Sequence, residues 1–114
     1  MSPEKERAIF ERWPHWFTSK GDVSRSLLSR GFCCEDGWYG IIWDLFLSLE
    51  PLSAGLDPTG PAFEVVQVKE KFGGLRVGVS QMDDAIHLAI ASARERSVKT
   101  CEICGNPGSL NEIW

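Results

Sequence analysis

Between Phe63 and Ser80 the chain reads FEVVQVKEKFGGLRVGVS, two runs rich in β-branched residues on either side of adjacent glycines. Such a stretch is predicted to fold as a β-hairpin. With Gly73-Gly74 as a two-residue turn, Phe72 faces Leu75, Glu70 faces Val77 and Val68 faces Val79. Side chains alternate across a strand, so one face carries Val66, Val68, Glu70, Phe72, Leu75, Val77 and Val79. The opposite face carries Gln67, Lys69, Lys71, Arg76, Gly78 and Ser80. The first face has the character of a core and the second is polar and basic.

Helical patterns flank the hairpin. Ser2-Pro3 followed by EKERAIFERW reads as an N-cap, a proline in the first turn and a short helix halted before Pro14. Pro14-His15-Trp16-Phe17 is a tight aromatic corner. Asp22 caps a second short helix, VSRSLLSR, which Gly31 ends. Gly37 opens a third, WYGIIWDLFLSLE, and Pro51 closes it. Trp38, Ile41, Ile42, Leu45 and Leu49 form one stripe of that helix, and Tyr39, Trp43 and Phe46 a second. A helix apolar on two sides is packed on two sides, which makes it the central element of the core; the alternative leaves the aromatic stripe facing a partner. After the turn-rich SAGLDPTGPA and the hairpin, Ser80 with Asp83 gives a capping-box-like start to a last helix, MDDAIHLAIASARERS. Its Met82, Ala85, Ile86, Ala89, Ile90 and Ala93 suit it to lying close on the hairpin. The order ααα–ββ–α defines an α+β class: one domain over residues 1–100, followed by a Cys-x-x-Cys tail over 101–114.

A length of 114 residues suffices for one core, and five tryptophans supply much of its large apolar area. The opening MSPEKERAIF carries charges where a signal peptide would be apolar, and no apolar run approaches the roughly 20 residues of a bilayer span. The expected setting is cytoplasmic, away from membranes, with the four cysteines as thiols or metal ligands. The net charge of −4 is uneven, since residues 31–64 hold six acids and no Lys or Arg. That stretch repels phosphate and argues against general nucleic-acid binding. Its acids read as solvated groups or as an acidic face toward a basic partner. Glu35, Asp36, Tyr39 and Trp43 are the candidate contacts there.

Glu70 is a carboxylate on the apolar face of the hairpin. Buried and unpaired it would be costly, so it is expected to reach a basic side chain or backbone donors at a helix end. A catalytic base is the alternative, without a partner acid, nucleophile or metal in sight. Lys69, Lys71 and Arg76 cluster on the polar face, as ordinary solvation or as a site for a phosphate or acidic partner. Cys101-Glu102-Ile103-Cys104-Gly105 has the spacing of half a zinc site, two thiolates on one side of a tight turn. Four ligands are needed; Cys33, Cys34, His15, His87 or the same pair from a second chain are the candidates to complete it. A redox pair fits poorly, because the cysteines follow a helix instead of opening one.

The run Gly31-Phe32, Cys34, Asp36-Gly37-Trp38, then VKEKFGGLR over residues 68–76, then CExCGxPG over residues 101–108, resembles a family of small proteins encoded by phages, prophages and bacterial genomes. The match covers residues 31 to about 110. The resemblance implies that Cys101 and Cys104 are the first half of a zinc knuckle whose closing Cys and His follow in longer members. Here the chain reaches Trp114 at about the point where that second half would begin, so the expectation is a half-site. The resemblance also implies a mobile-element setting, in which small acidic proteins without a catalytic constellation act by occupying a host protein. Inhibitors of host defence, anti-CRISPR proteins among them, are one such group. The leading expectation is a non-enzymatic protein of this kind with a host-protein partner and no cofactor. The second is a zinc-dependent module, with dimerisation through Cys101 and Cys104 as one form of it, that contacts nucleic acid with Lys69, Lys71 and Arg76.

Overall fold

Proline at the first helical position and Glu4 and Glu6 in the first turn start helix α1 (Pro3–Arg12) in the computed structural model, which describes residues 1–18, 31–56 and 62–105. Ser2 is extended but its hydroxyl makes no cap; its backbone N–H donates instead to Asp36 Oδ1 at 2.7 Å. The chain leaves α1 at Trp13, and Pro14–Trp16 wind into a 3-10 turn that forms the expected aromatic corner. The predicted helix VSRSLLSR lies outside the described residues.

Asp36–Trp38 form a second 3-10 turn leading into α2 (Tyr39–Ala54), the longest helix described. Both of its apolar stripes are used. Trp38, Ile41, Ile42, Leu45, Phe46 and Leu49 are buried, and Trp43 packs edge-on against Trp13 at 4.8 Å. Helix α2 therefore has the α1 corner on one side and α3 (Asp84–Val98) on the other. Closure at Pro51 does not occur: the helix continues to Ala54. A proline removes one N–H and crowds the carbonyl four residues back. Here that residue is Leu47, which is 42% exposed, so its carbonyl lies on a side that water reaches.

The hairpin consists of β1 (Val65–Lys71) and β2 (Gly74–Val79), antiparallel, and its register differs from the sequence expectation. Lys71 pairs with Gly74, Glu70 with Leu75, Lys69 with Arg76 and Val68 with Val77. The two-residue turn is Phe72-Gly73, with φ of 54° and 78°, the signature of a type I′ hairpin. Phe72 is therefore not a core residue facing Leu75; it stands at the tip, 83% exposed. Gly74 is the first residue of β2, and the Arg94 guanidinium lies over it. A Cβ there would lie 2.7 Å from Arg94 Cζ.

The slip relative to expectation is two residues, an even number, so Val68, Glu70, Leu75, Val77 and Val79 still share a face. A bulge at Val66 adds one residue and puts Val65, instead of Val66, on the buried side. The sheet gains a short parallel edge as well: Cys33 N–H donates to Val68 O at 2.9 Å, and Glu70 N–H donates to Cys33 O at 3.0 Å.

Helix α3 is capped by Asp83, whose carboxylate accepts the Ile86 N–H at 2.8 Å. The Ser80 hydroxyl is used elsewhere, donating to Ala62 O and accepting from Glu64 N–H. Ile86 and Ala93 are buried as the stripe predicted and Ala89 and Ile90 are half-buried, while Met82 and Ala85 are exposed. Ser97 plugs the free edge of β2: its Oγ accepts the Leu75 N–H at 2.8 Å and donates to Arg94 O at 2.6 Å.

Two substitutions test this arrangement by urea unfolding. Ser97→Ala leaves the buried Leu75 N–H without its acceptor and is expected to cost roughly 1–3 kcal/mol. Phe72→Asn relieves a bulky side chain of a left-handed conformation and is expected to stabilise by about 1 kcal/mol. A loss of stability in the second variant would show that Phe72 contributes to packing.

Candidate functional site

After α3 the chain makes a turn at Glu102–Cys104 and lays it against Asp36–Trp38. Gly37 N–H donates to Glu102 O at 2.6 Å, Glu35 N–H to Glu102 Oε2 at 3.0 Å, and Trp38 Nε1 to Thr100 O at 3.0 Å. The approach tolerates no side chain at Gly37, since a Cβ would lie 2.3 Å from the carbonyl oxygens of Cys101 and Glu102. Gly105 closes the turn with φ of 77° and returns its N–H to Cys101 O at 2.9 Å.

Inside that turn Cys104 N–H points at Cys101 Sγ, 3.5 Å away. Donors directed at Cys101, the Cys104 backbone N–H first, then the Cys104 thiol and the N–H groups of Ile103 and Gly105, hold its thiol below the usual range. A Cys101 thiol of lowered pKa and an exposed Cys104 suit half of a thiolate metal site. The other half is not assembled here. Among the described residues no three His, Cys, Asp or Glu side chains converge as metal ligands, so Cys33, Cys34, His15 and His87 do not complete the set. Cys34 is buried, and burial pushes its thiol up to about 12, against the opposing pull of the terminal amine. Cys33 is exposed on the sheet edge, and all four cysteines are free thiols.

Three of the acids read as solvated groups or as an acidic face make contacts within the fold, whereas Glu35 and Asp44 are exposed. Asp36 accepts the Ser2 N–H, which with nearby Lys5 keeps its carboxyl below the ordinary range. Glu50 accepts the Trp13 indole N–H at 2.5 Å and pairs with Arg12. Glu64 is buried and accepts the Thr18 hydroxyl. Burial raises the Glu102 carboxyl, the Glu35 N–H lowers it in part, and the charges of Glu70 and Glu35 add to the rise. Glu70 finds neither a basic side chain nor a helix end among the described residues; its Oε1 receives the Gly73 N–H across the turn at 3.4 Å.

Of the candidate contact residues, Glu35 is exposed, whereas Tyr39 and Trp43 are half-buried against α1, with Lys5 Nζ 5.6 Å from the Tyr39 ring centre. Lys69 and Arg76 face each other across the strands, with Lys71 beside them, its Nζ 5.6 Å from the Phe72 ring centre. The structure thus gathers the three cations at the hairpin. Sequence reasoning missed Phe72 at the tip and the Arg94 guanidinium behind it. It also missed Gly37 as the seat of the cysteine turn, although its place in the Asp36-Gly37-Trp38 motif was a usable signal. No protein-family model, curated protein or solved structure matches the chain.

Pulsed iodoacetamide labelling read by peptide mass spectrometry checks the thiol assignments. Cys101 is expected to react along a pH profile displaced below that of an ordinary thiol, because a lowered pKa exposes thiolate earlier in the titration. Cys34 stays unlabelled until the protein is unfolded. Gly37→Ala expels the turn from its seat and returns the Cys101 profile to the ordinary range; an unchanged profile would show that docking on Gly37 does not shape the thiolate.

Proposed function

We propose that the chain is a small non-catalytic binding protein that acts by occupying a surface on a protein partner. The observation that carries this reading is Phe72. A bulky aromatic held at φ 54° and 83% exposed costs conformational energy and buries nothing in the fold. Aromatic side chains with cations beside them are the usual anchors of protein interfaces. The resemblance of the three motifs to phage and prophage proteins directs the search to bacterial host proteins in the cytoplasm. Components of defence systems such as CRISPR–Cas are the first to examine. Pull-down from bacterial lysate with the tagged full chain, at low and high salt, is expected to retain a specific partner that Phe72→Asp releases. No specific partner at either salt, or equal retention by the variant, would refute the reading.

A second reading, a zinc-dependent module, is favoured by the Cys104 N–H directed at Cys101 Sγ. Cys101 and Cys104 would hold the ion, which would act as a structural cross-link, and the remaining ligands would come from outside the described residues, including a second chain. Native mass spectrometry reports metal and subunit count together. Zinc retained by wild type and lost in Cys101→Ser supports this reading, and a stoichiometry near zero removes it.

A further inference from the structure

Behind Phe72 lies an open groove of about 430 Å³ between the hairpin and α3. Its apolar surface comes from Phe72, Met82 and Ile90, of which the first two are 83% and 50% exposed. Its charged rim is Lys71, Arg76 and Arg94, and no carboxylate lines it. Elsewhere Lys5 pairs with Asp36, Arg12 with Glu50 and Arg96 with Asp44, while Arg7, Lys69 and Lys99 form no ion pair among the described residues. The three at the groove form no ion pair among the described residues. The Arg94 guanidinium lies over Gly74 and donates to Leu75 O at 3.4 Å, which directs it along the groove. A guanidinium and two further cations around an apolar floor complement a negative chain that carries an apolar side chain.

Resting on the reading of this chain as a protein-binding module, we infer that the groove between the hairpin tip and α3 docks an acidic peptide segment of the partner, anchored by one apolar residue. The volume fits one or two side chains, so the ligand is a segment and not a domain face. Nucleic acid is the weaker occupant, because the groove offers one aromatic ring where successive bases require several.

The test is fluorescence anisotropy with a labelled glutamate-rich peptide bearing one central leucine, against the same peptide with lysine for glutamate. The acidic probe is expected to bind at least about tenfold more tightly than the basic one and to weaken with salt. Phe72→Asn and the double variant Lys71→Glu/Arg76→Glu are each expected to lose at least about fivefold in affinity. Phe72→Asn should do so without lowering the melting temperature, which separates lost contact from lost fold. Equal binding of the two peptides, or affinity unchanged in both variants, overturns the assignment. So does tighter binding of a single-stranded oligonucleotide than of the acidic peptide, or self-association of the chain that the double variant abolishes. If a lysate partner is retained equally by wild type and the double variant, the protein-binding reading stands and the groove assignment fails.

Discussion

The indole of Trp13 is the contact on which the helical half of the molecule depends. It is 1% exposed, stacks on Trp16 at 5.7 Å and meets Trp43 and Phe46 edge-on at 4.8 and 5.3 Å, while its N–H reaches Glu50. Helix α1 fully buries only Ile9 of its own residues, and the ring that follows it adds a large apolar contact to α2 beside the Arg12–Glu50 pair. Truncating such a ring typically costs about 3–5 kcal/mol, a large share of the roughly 5–15 kcal/mol that holds a domain folded. Trp13 is the largest of several ties between α1 and the domain, beside the Phe10 ring on Phe17 and Phe32 and the Arg12–Glu50 pair.

Residues 31–38 do for the other half what Trp13 does for the first, with little regular structure of their own. Glu6 accepts the Phe32 N–H at 3.1 Å, the terminal amine reaches Cys34 O, and Cys33 extends β1 by a parallel bridge. Asp36 holds the start of α1, and Gly37 seats the Cys101–Gly105 turn. The cysteine turn is consequently anchored on a segment that is itself tied to the N-terminus and the sheet. Its thiolate-stabilising geometry belongs to the fold and is not an accident of a loose end.

The candidate features differ in kind. At the hairpin tip the chain sustains strain and exposed apolar area with unneutralised cations around them. At the cysteine turn it holds a thiol of lowered pKa on a tightly docked backbone. Neither is required by the core.

The hairpin, its two faces, the two-sided central helix and the final amphipathic helix were legible in the chain, because period-two and helical alternation reports burial directly. The same alternation could not place the turn. A slip of two residues leaves every side chain on its face, so a turn at Gly73-Gly74 and one at Phe72-Gly73 present identical patterns. Tertiary contact decided between them, with Arg94 covering Gly74 and Ser97 taking the Leu75 N–H. The cap of α3, the passage of α2 through Pro51 and the use of Asp36, Glu50 and Glu64 as staples were likewise settled by partners distant in sequence. What the amino-acid order determined alone was which residues are apolar and at what period they recur. Which cation stays unpaired, and which aromatic is left outside, depended on packing, because those outcomes turn on competition among neighbours that only the folded chain brings together.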